Sequence, residues 1–215
     1  VVIEGAEVTV VGLGIDGTSD AGLTLSGGAR LAEGAEGVTV THAGGYAVVA
    51  DVATAHPLPA VASAYTGNGT DAVYRSGDEI TTSVEWEDLG VPYVLAETVD
   101  VGGSAGEPAV FTVAEGTELR FERDRGLRFS RQGDASQLVV AGTAEDPVRL
   151  SGLGADTAGY WRGITVSKGA SEVMLSHVEV SGAGEEGDEA LLVTDTTMRV
   201  GGGGQRRPLV VAVAR

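Results

Sequence analysis

The sequence predicts an all-β protein in which short strands are wound into a solenoid. Glycine fills 34 of the 215 positions, and glycine is a poor helix former. Short apolar segments alternate with polar residues, and turn residues separate one segment from the next. In the second half of the chain these segments recur at a nearly regular spacing. Composition, alternation and spacing together favour a repetitive β architecture.

Most of the apolar segments contain three or four residues with an inward–outward–inward pattern. Leu-Thr-Leu at 23–25 and Val-Arg-Leu at 148–150 are typical, and this alternation predicts a strand with one buried face. Glycine, aspartate, serine and threonine lie between the segments and supply turns. The predicted strands are 8–11, 23–25, 38–40, 47–49, 109–113, 119–121, 127–129, 138–140, 148–150, 164–166, 173–175, 178–180 and 191–193.

The spacing of the strands predicts a repeating unit. The strands of the second half start at 119, 127, 138, 148, 164 and 173, so three of them form a unit of roughly 20–30 residues, as in solenoid repeats. One internal match supports a repeat, because 34–42 resembles 169–177 and both segments end in histidine, His42 and His177. A β-sandwich also uses many strands, but its strands usually reach about five or six residues.

Three-residue strands with abrupt turns favour a parallel coil over a sandwich. Each strand would stack on the equivalent strand of the next unit, about 4.8 Å away, and the inward side chains would form ladders. We expect six apolar residues of the second half to point inward and stack: Leu138, Val140, Val148, Leu150, Ile164 and Val166.

The coil is expected to span residues 1–200, with an irregular segment near 51–98. Pro57 and Pro59 make a loop the favoured interpretation of 51–65. The remaining residues, 201–215, begin with four glycines, which predict a flexible linker. The apolar run 209–213 that follows is either a terminal strand or a tail leading into further chain.

The charge of the chain limits its partners. A net charge of −17 opposes binding to nucleic acids and to anionic membrane surfaces. No apolar run reaches 18 residues, so no membrane-spanning helix is expected. The absence of cysteine excludes disulfides, thiolate metal sites and a cysteine nucleophile.

Several stretches carry a family resemblance: 66–73, 86–94, 113–121, 138–150, 160–164 and 175–180. They resemble right-handed parallel β-helix repeat proteins of bacterial cell surfaces, of the lipoprotein type and with a pectate-lyase-like fold. In that family a strand, Gly-Thr-Ala-Glu-Asp-Pro, a second strand and Trp-Arg-Gly-Ile follow one another, as they do at 138–164. The resemblance implies a right-handed parallel β-helix and a secreted or cell-surface location in the bacterial envelope. It implies no particular activity.

The shared motif has a physical explanation. Gly142 is expected to adopt positive φ where the chain leaves one strand. Asp146 precedes Pro147, which holds the chain extended into the next strand and at a strand start loses no ladder hydrogen bond. Trp86 and Trp161 are expected to cap corners of the coil by packing over neighbouring turns, in preference to exposed sugar stacking.

Three apparent ligand-binding features of the chain are better explained by structural roles. Strand 8–11 is followed by Gly12, Gly14 and Gly17, the spacing of a dinucleotide fingerprint, but the glycine-rich residues 18–30 cannot supply the helix that the pyrophosphate needs. The same stretch contains at most one copy of a calcium-binding β-roll motif, which works only in tandem. His42 and His177 lie too far apart in a solenoid for a shared metal, so a role in turns is expected.

An arginine cluster is the candidate ligand-binding site. Its five members are Arg120, Arg123, Arg125, Arg128 and Arg131. Five arginines within twelve residues are unusual in so acidic a chain, and they predict either an anion site or outward ion-pair ladders with the interleaved carboxylates. Those carboxylates belong to Glu118, Glu122 and Asp124.

The favoured function is a non-enzymatic surface or secreted scaffold that contacts carbohydrate or another protein. One alternative is a polysaccharide lyase or hydrolase, which would show a long groove with clustered carboxylates. Another is a fragment of a larger adhesin. We assign no catalytic residues, no metal ligands and no cofactor, apart from a weaker interpretation of the acidic run 185–189 as a Ca²⁺ site.

Overall fold

The protein is described from a computed structural model. It covers residues 1–54, 58–59, 64–104, 106–130, 134–155, 157–167, 170–184, 191–194, 198–201 and 211–214. These residues form strands, turns and bends, without a helix. The all-β prediction is therefore confirmed for this part of the chain.

The first half of the chain forms short strands separated by tight turns. These strands are β1 (Val2–Glu4), β2 (Glu7–Val8), β3 (Gly14–Asp16), β4 (Leu23–Ser26), β5 (Arg30–Leu31), β6 (Thr39–Thr41), β7 (Tyr46–Asp51), β8 (Thr70–Ser76), β9 (Glu79–Ile80), β10 (Val84–Trp86), β11 (Tyr93–Leu95) and β12 (Val99–Val101).

The second half continues in the same way. Its strands are β13 (Ala109–Ala114), β14 (Glu118–Phe121), β15 (Gly126–Phe129), β16 (Ser136–Ala141), β17 (Val148–Gly152), β18 (Gly163–Val166), β19 (Ala170–Ser176), β20 (Val178–Val180), β21 (Leu191–Thr194), β22 (Met198–Gly201) and β23 (Val211–Ala214).

Three larger sheets and two small ones contain all of these strands. An eight-stranded sheet has the order β1-β4-β7-β8-β11-β14-β17-β20, and a five-stranded sheet has the order β10-β13-β16-β19-β22. A six-stranded sheet runs β23-β21-β18-β15-β12-β9, and the pairs β2-β5 and β3-β6 are separate. The paired strands within each sheet are parallel, as in the pairs β11–β14 and β15–β18.

From β8 to β22, consecutive strands visit the three larger sheets in turn. The strands β14, β15 and β16 belong to the eight-, six- and five-stranded sheets, and β17, β18 and β19 repeat that order. Register partners in the eight-stranded sheet are separated by 20 residues between Val73 and Tyr93 and by 31 between Leu119 and Leu150. This repeated order is compatible with the predicted parallel β-helix.

The inward side chains stack as the alternation predicts. All six residues expected to point inward, from Leu138 to Val166, are at most 4% exposed. Leu138 is in register with Phe111 and Val173, and Ile164 with Leu127 and Leu191. The core is therefore a set of apolar ladders that run across the sheets.

His42 and His177 occupy the same kind of corner. Each follows a strand, and their backbones have positive φ angles of 53° and 42°, which is uncommon for a residue other than glycine. The His42 amide donates to the Gly67 carbonyl at 3.1 Å, and the Val148 amide donates to the His177 carbonyl at 3.0 Å. The internal match between 34–42 and 169–177 thus reflects a repeated turn geometry.

Gly142 is required for space and not for its φ angle. The positive-φ residues of the structure do not include it, so the expectation of positive φ at this position was wrong. A Cβ atom there would lie 2.4 Å from the carbonyl oxygen of His177. Only glycine therefore lets the chain leave β16 so close to the neighbouring turn.

The segment 51–98, expected to be irregular, contains the four strands β8 to β11. Its loop residues 55–57 and 60–63 lie outside the described residues. In the C-terminal segment, β23 pairs with β21, so the apolar run forms a strand from Val211 onward, whereas 202–210 lies outside the described residues. The part of the chain that the structure covers includes no helix with the length and apolar character needed to cross a bilayer.

Candidate functional site

Two members of the arginine cluster form ion pairs on outward faces. Arg128 on β15 donates two hydrogen bonds to the carboxylate of Asp100 on the neighbouring β12, at 2.6 and 2.8 Å. Arg120 on β14 donates two to Glu118 of the same strand, at 2.8 and 3.2 Å. These guanidinium groups are engaged by carboxylates and do not converge on a common ligand position.

The other members of the cluster have different surroundings. The guanidinium of Arg123 lies 4.8 Å from the ring centre of Tyr160, a cation–π contact. The Nε of Arg125 is buried without a hydrogen-bond partner, and the Arg125 carbonyl accepts from the amide of Arg162. Arg131 lies outside the described residues. The structure thus divides the predicted site into ion pairs and separate contacts.

Both tryptophans are buried in the interior. Trp161 stacks on Phe121 with 4.1 Å between ring centres and donates its Nε1 hydrogen to the Ser181 carbonyl at 2.8 Å. Trp86 is an inward residue of β10 and contacts Tyr93 and Phe111. Neither ring is exposed, so neither presents a surface for sugar stacking.

Two aromatic rings that reach the surface, those of Tyr46 and Tyr74, lie side by side, whereas the half-buried Tyr160 ring is covered by Arg123. Val49, Tyr74, Val94 and Arg120 are register partners on the outward side of β7, β8, β11 and β14. The ring of Tyr46 lies 5.0 Å from that of Tyr74. We call these five residues the tyrosine face. Both tyrosines are half-buried, while Val94 beside them is buried.

Carboxylates border the tyrosine face. Burial raises the pKa of the Tyr46 hydroxyl above its ordinary value, and the charge of Glu122 raises it further. Burial and the charge of Glu122 likewise raise the pKa of Tyr74, with smaller contributions from Tyr46 and Glu97. Both hydroxyls are therefore neutral at ordinary pH, and neither has a hydrogen-bond partner among the described residues. They are available to donate to and accept from a ligand.

A second unusual site lies in the interior, and the sequence analysis missed it. Arg75 on β8 is only 1% exposed, and its Nη1 donates to the Asp51 carbonyl at 3.0 Å. Its guanidinium lies 4.7 Å from the ring centre of Trp86 and 5.2 Å from that of Tyr93. Burial lowers the pKa of Arg75, and the Tyr93 hydroxyl donates to the Glu87 carbonyl at 2.8 Å.

Two N–H groups of this interior site have no acceptor. The Nε of Arg75 and the Nε1 of Trp86 are both buried without a hydrogen-bond partner. Alternation does place Val73 and Arg75 on the same face of β8, so the period-two pattern was the available signal. Arginine is charged and almost never fully buried, so the alternation alone did not lead us to expect Arg75 in the interior.

The histidines take part in turns. The His42 ring lies 2.7 Å from the Asp16 carboxylate, which also accepts from the Thr41 hydroxyl at 3.1 Å. The Nδ1 of His177 lies 3.1 Å from the Ser176 hydroxyl. Among the described residues no three histidine or acidic side chains converge as metal ligands. The acidic run 185–189 lies outside the described residues.

Comparisons of the chain with family models, with curated proteins and with solved structures gave no match.

Proposed function

We propose that the chain is a right-handed parallel β-helix and acts as a non-enzymatic scaffold that binds neutral carbohydrate on its tyrosine face. The parallel registers and the regular return of the chain to each larger sheet support the β-helix. Right-handedness follows the strong preference of parallel crossover connections for that hand. The resemblance to cell-surface β-helix repeat proteins extends the proposal to a secreted or envelope-exposed location in bacteria.

The observation that carries the binding proposal is the pair of half-buried rings, Tyr46 and Tyr74, 5.0 Å apart on an outward sheet face. Aromatic rings with a polar tip offer one surface to the apolar face of a sugar and a hydroxyl to its polar groups. Parallel strands hold the two rings in fixed positions, so little conformational entropy is lost on binding. The two rings are tilted by 46° to each other, and a preorganised pair of this kind offers two contact surfaces to a polysaccharide chain.

Charge selects the class of carbohydrate. The net charge of −17 and the carboxylates of Glu97 and Glu122 near the two rings repel acidic polymers. Neutral sugar hydroxyls, in contrast, can donate to those carboxylates and to Arg120's partner Glu118. The ligand of the tyrosine face is therefore a neutral polysaccharide.

The test replaces both rings at once. Tyr46→Ala with Tyr74→Ala is expected to weaken binding of a neutral polysaccharide, screened as a panel by affinity electrophoresis and measured by calorimetry, about tenfold or more. Because the pKa of both hydroxyls is raised above 10, wild-type affinity is expected to stay constant between pH 6 and about 9.

Val110→Ala is the matched control, because Val110 is an outward residue of the five-stranded sheet. It shortens an outward side chain on a different face and is expected to leave affinity unchanged. Equal affinity of the double variant and wild type would overturn the proposal, as would the absence of binding across the panel. Release of sugar fragments by wild type would favour the polysaccharide-active alternative.

A further inference from the structure

We propose that the interior of the protein binds a small monovalent anion, of the size of chloride, between Arg75 and Trp86. Arginine is not deprotonated in proteins, so Arg75 brings a positive charge into the core. An isolated buried charge is strongly unfavourable unless an opposite charge or several hydrogen bonds compensate it. The fold supplies only part of that compensation.

The direct contacts of the guanidinium within the described residues are with neutral groups, although the charge of Asp51 also acts to raise the pKa of Arg75. The Asp51 carbonyl accepts one hydrogen bond, and the rings of Trp86 and Tyr93 supply cation–π contacts. No carboxylate lies within ion-pair distance of the Arg75 guanidinium among these residues, since the Asp51 carboxylate accepts instead from the Ser76 hydroxyl and the Gly28 amide. No carboxylate among these residues is therefore in direct contact with the buried cation.

The neighbouring loop offers the guanidinium no further carboxylate, and Asp71 after it is exposed and accepts from the amides of Gly67 and Asn68. Residues 52–70, which follow β7 and precede the body of β8, contain no aspartate or glutamate. In register with Arg75 lie Ala50 on one side and Leu95 on the other. On the β7 side, the residue in register with the guanidinium-bearing side chain therefore carries only a methyl group.

Two unused donors identify the position of the anion. The Nε of Arg75 and the Nε1 of Trp86 are both buried and both lack an acceptor, and the two side chains are in contact. Indole and guanidinium N–H groups donate only, so the partner that we propose for them is an acceptor. A halide accepts from both and neutralises the charge, whereas a water molecule would accept but leave the cation uncompensated.

The experiment compares salts at one ionic strength. Thermal unfolding is followed in sodium chloride and in sodium gluconate, whose anion is too large for the interior. Binding to the native state alone stabilises it by mass action, so the melting temperature of wild type is expected to rise as chloride replaces gluconate. Crystals grown in sodium bromide are expected to show an anomalous peak within hydrogen-bond distance of the Arg75 Nε.

Variants separate this site from general salt effects. Trp86→Phe removes one donor and keeps a ring, and Arg75→Met removes the charge, so both are expected to lose the chloride-specific rise. Arg128→Met is the control, because Arg128 already pairs with Asp100, and it should keep the full rise. If Arg75→Met does not fold, the proposal is tested by Trp86→Phe and by the bromide crystals.

Three results would overturn the proposal. They are equal wild-type melting temperatures in the two salts, a chloride-specific rise that Trp86→Phe retains, and bromide crystals without a peak beside Arg75. Ordered water beside Arg75 in place of bromide would also overturn the proposal.

Discussion

Ile164 shows how one inward side chain contributes to the core. It lies on β18, is 4% exposed and sits in register between Leu127 and Leu191. Ile164→Ala is expected to lower the free energy of unfolding by about 2–5 kcal/mol, because truncation leaves a cavity in a close-packed ladder. Urea denaturation followed by tryptophan fluorescence measures the change.

The neighbouring position on the same strand provides the control. Thr165 points outward on β18, and Thr165→Ala is expected to change stability by no more than about 0.5 kcal/mol. A loss below about 0.5 kcal/mol for Ile164→Ala would mean that the inward and outward faces of this strand are exchanged.

Inward positions could be predicted where residue type and alternation agree. Leu138, Val140 and Ile164 are apolar and spaced by two within their strands, so both signals gave the same answer. At Arg75 the signals conflict, because alternation turns it inward while its charge favours solvent. The aromatic surroundings, contributed by Trp86 and Tyr93 from other strands, favour its burial, and sequence order does not reveal those contacts.

At the scale of elements, register decides which charges meet. Asp100 lies 28 residues before Arg128 in the chain, so the pair could not be identified from the carboxylates that interleave with the arginines. Parallel pairing of β12 with β15 places the two residues side by side. Arg120, in contrast, pairs with Glu118 within its own strand, and local sequence was sufficient there.

The tyrosine face has the same origin. Tyr46 and Tyr74 belong to different strands, and neither was singled out from the sequence, because an isolated tyrosine carries no functional signal. Their proximity depends on the pairing of β7 with β8, which includes a register shift after Tyr46. A β-bulge of this kind redirects a side chain, and the alternation of the sequence does not predict it.

A substitution in the turn between β16 and β17 tests how closely this turn approaches its neighbour. Gly142→Ala is expected to destabilise the protein by about 1–3 kcal/mol, because the new methyl group would overlap the His177 carbonyl oxygen and force the backbone apart. Chemical denaturation of the purified variant measures the loss.

Gly106→Ala is the matched control for that substitution. A Cβ at Gly106 meets no atom within 4 Å, and its φ is not positive, so this substitution is expected to be neutral or to stabilise by up to about 1 kcal/mol. Equal effects of the two substitutions would show that the approach of the turns at Gly142 is looser than described.

For the whole molecule, the parallel sheets predict a simple spectroscopic signature. Far-ultraviolet circular dichroism is expected to show strand and turn with little helix, because the described residues contain none. A helix content above about a quarter of the chain, near the average for globular proteins, would contradict the architecture. The spectrum is recorded in a buffer of moderate ionic strength, because salt screens the repulsion that the net charge of −17 creates.

The unequal spacing of register partners has a consequence for how such a protein can diversify. Strand pairs remain aligned whether 20 residues separate them, as for Val73 and Tyr93, or 31, as for Leu119 and Leu150. Part of the extra length lies in longer strands, because β15 and β16 have four and six residues where β9 and β10 have two and three. The rest lies in connections such as 122–125, which has four residues where 77–78 has two. Insertions at these corners add loops without disturbing the packing of adjacent layers, since closing a longer loop costs little. New recognition surfaces can therefore be grafted at a corner while the core stays as it is.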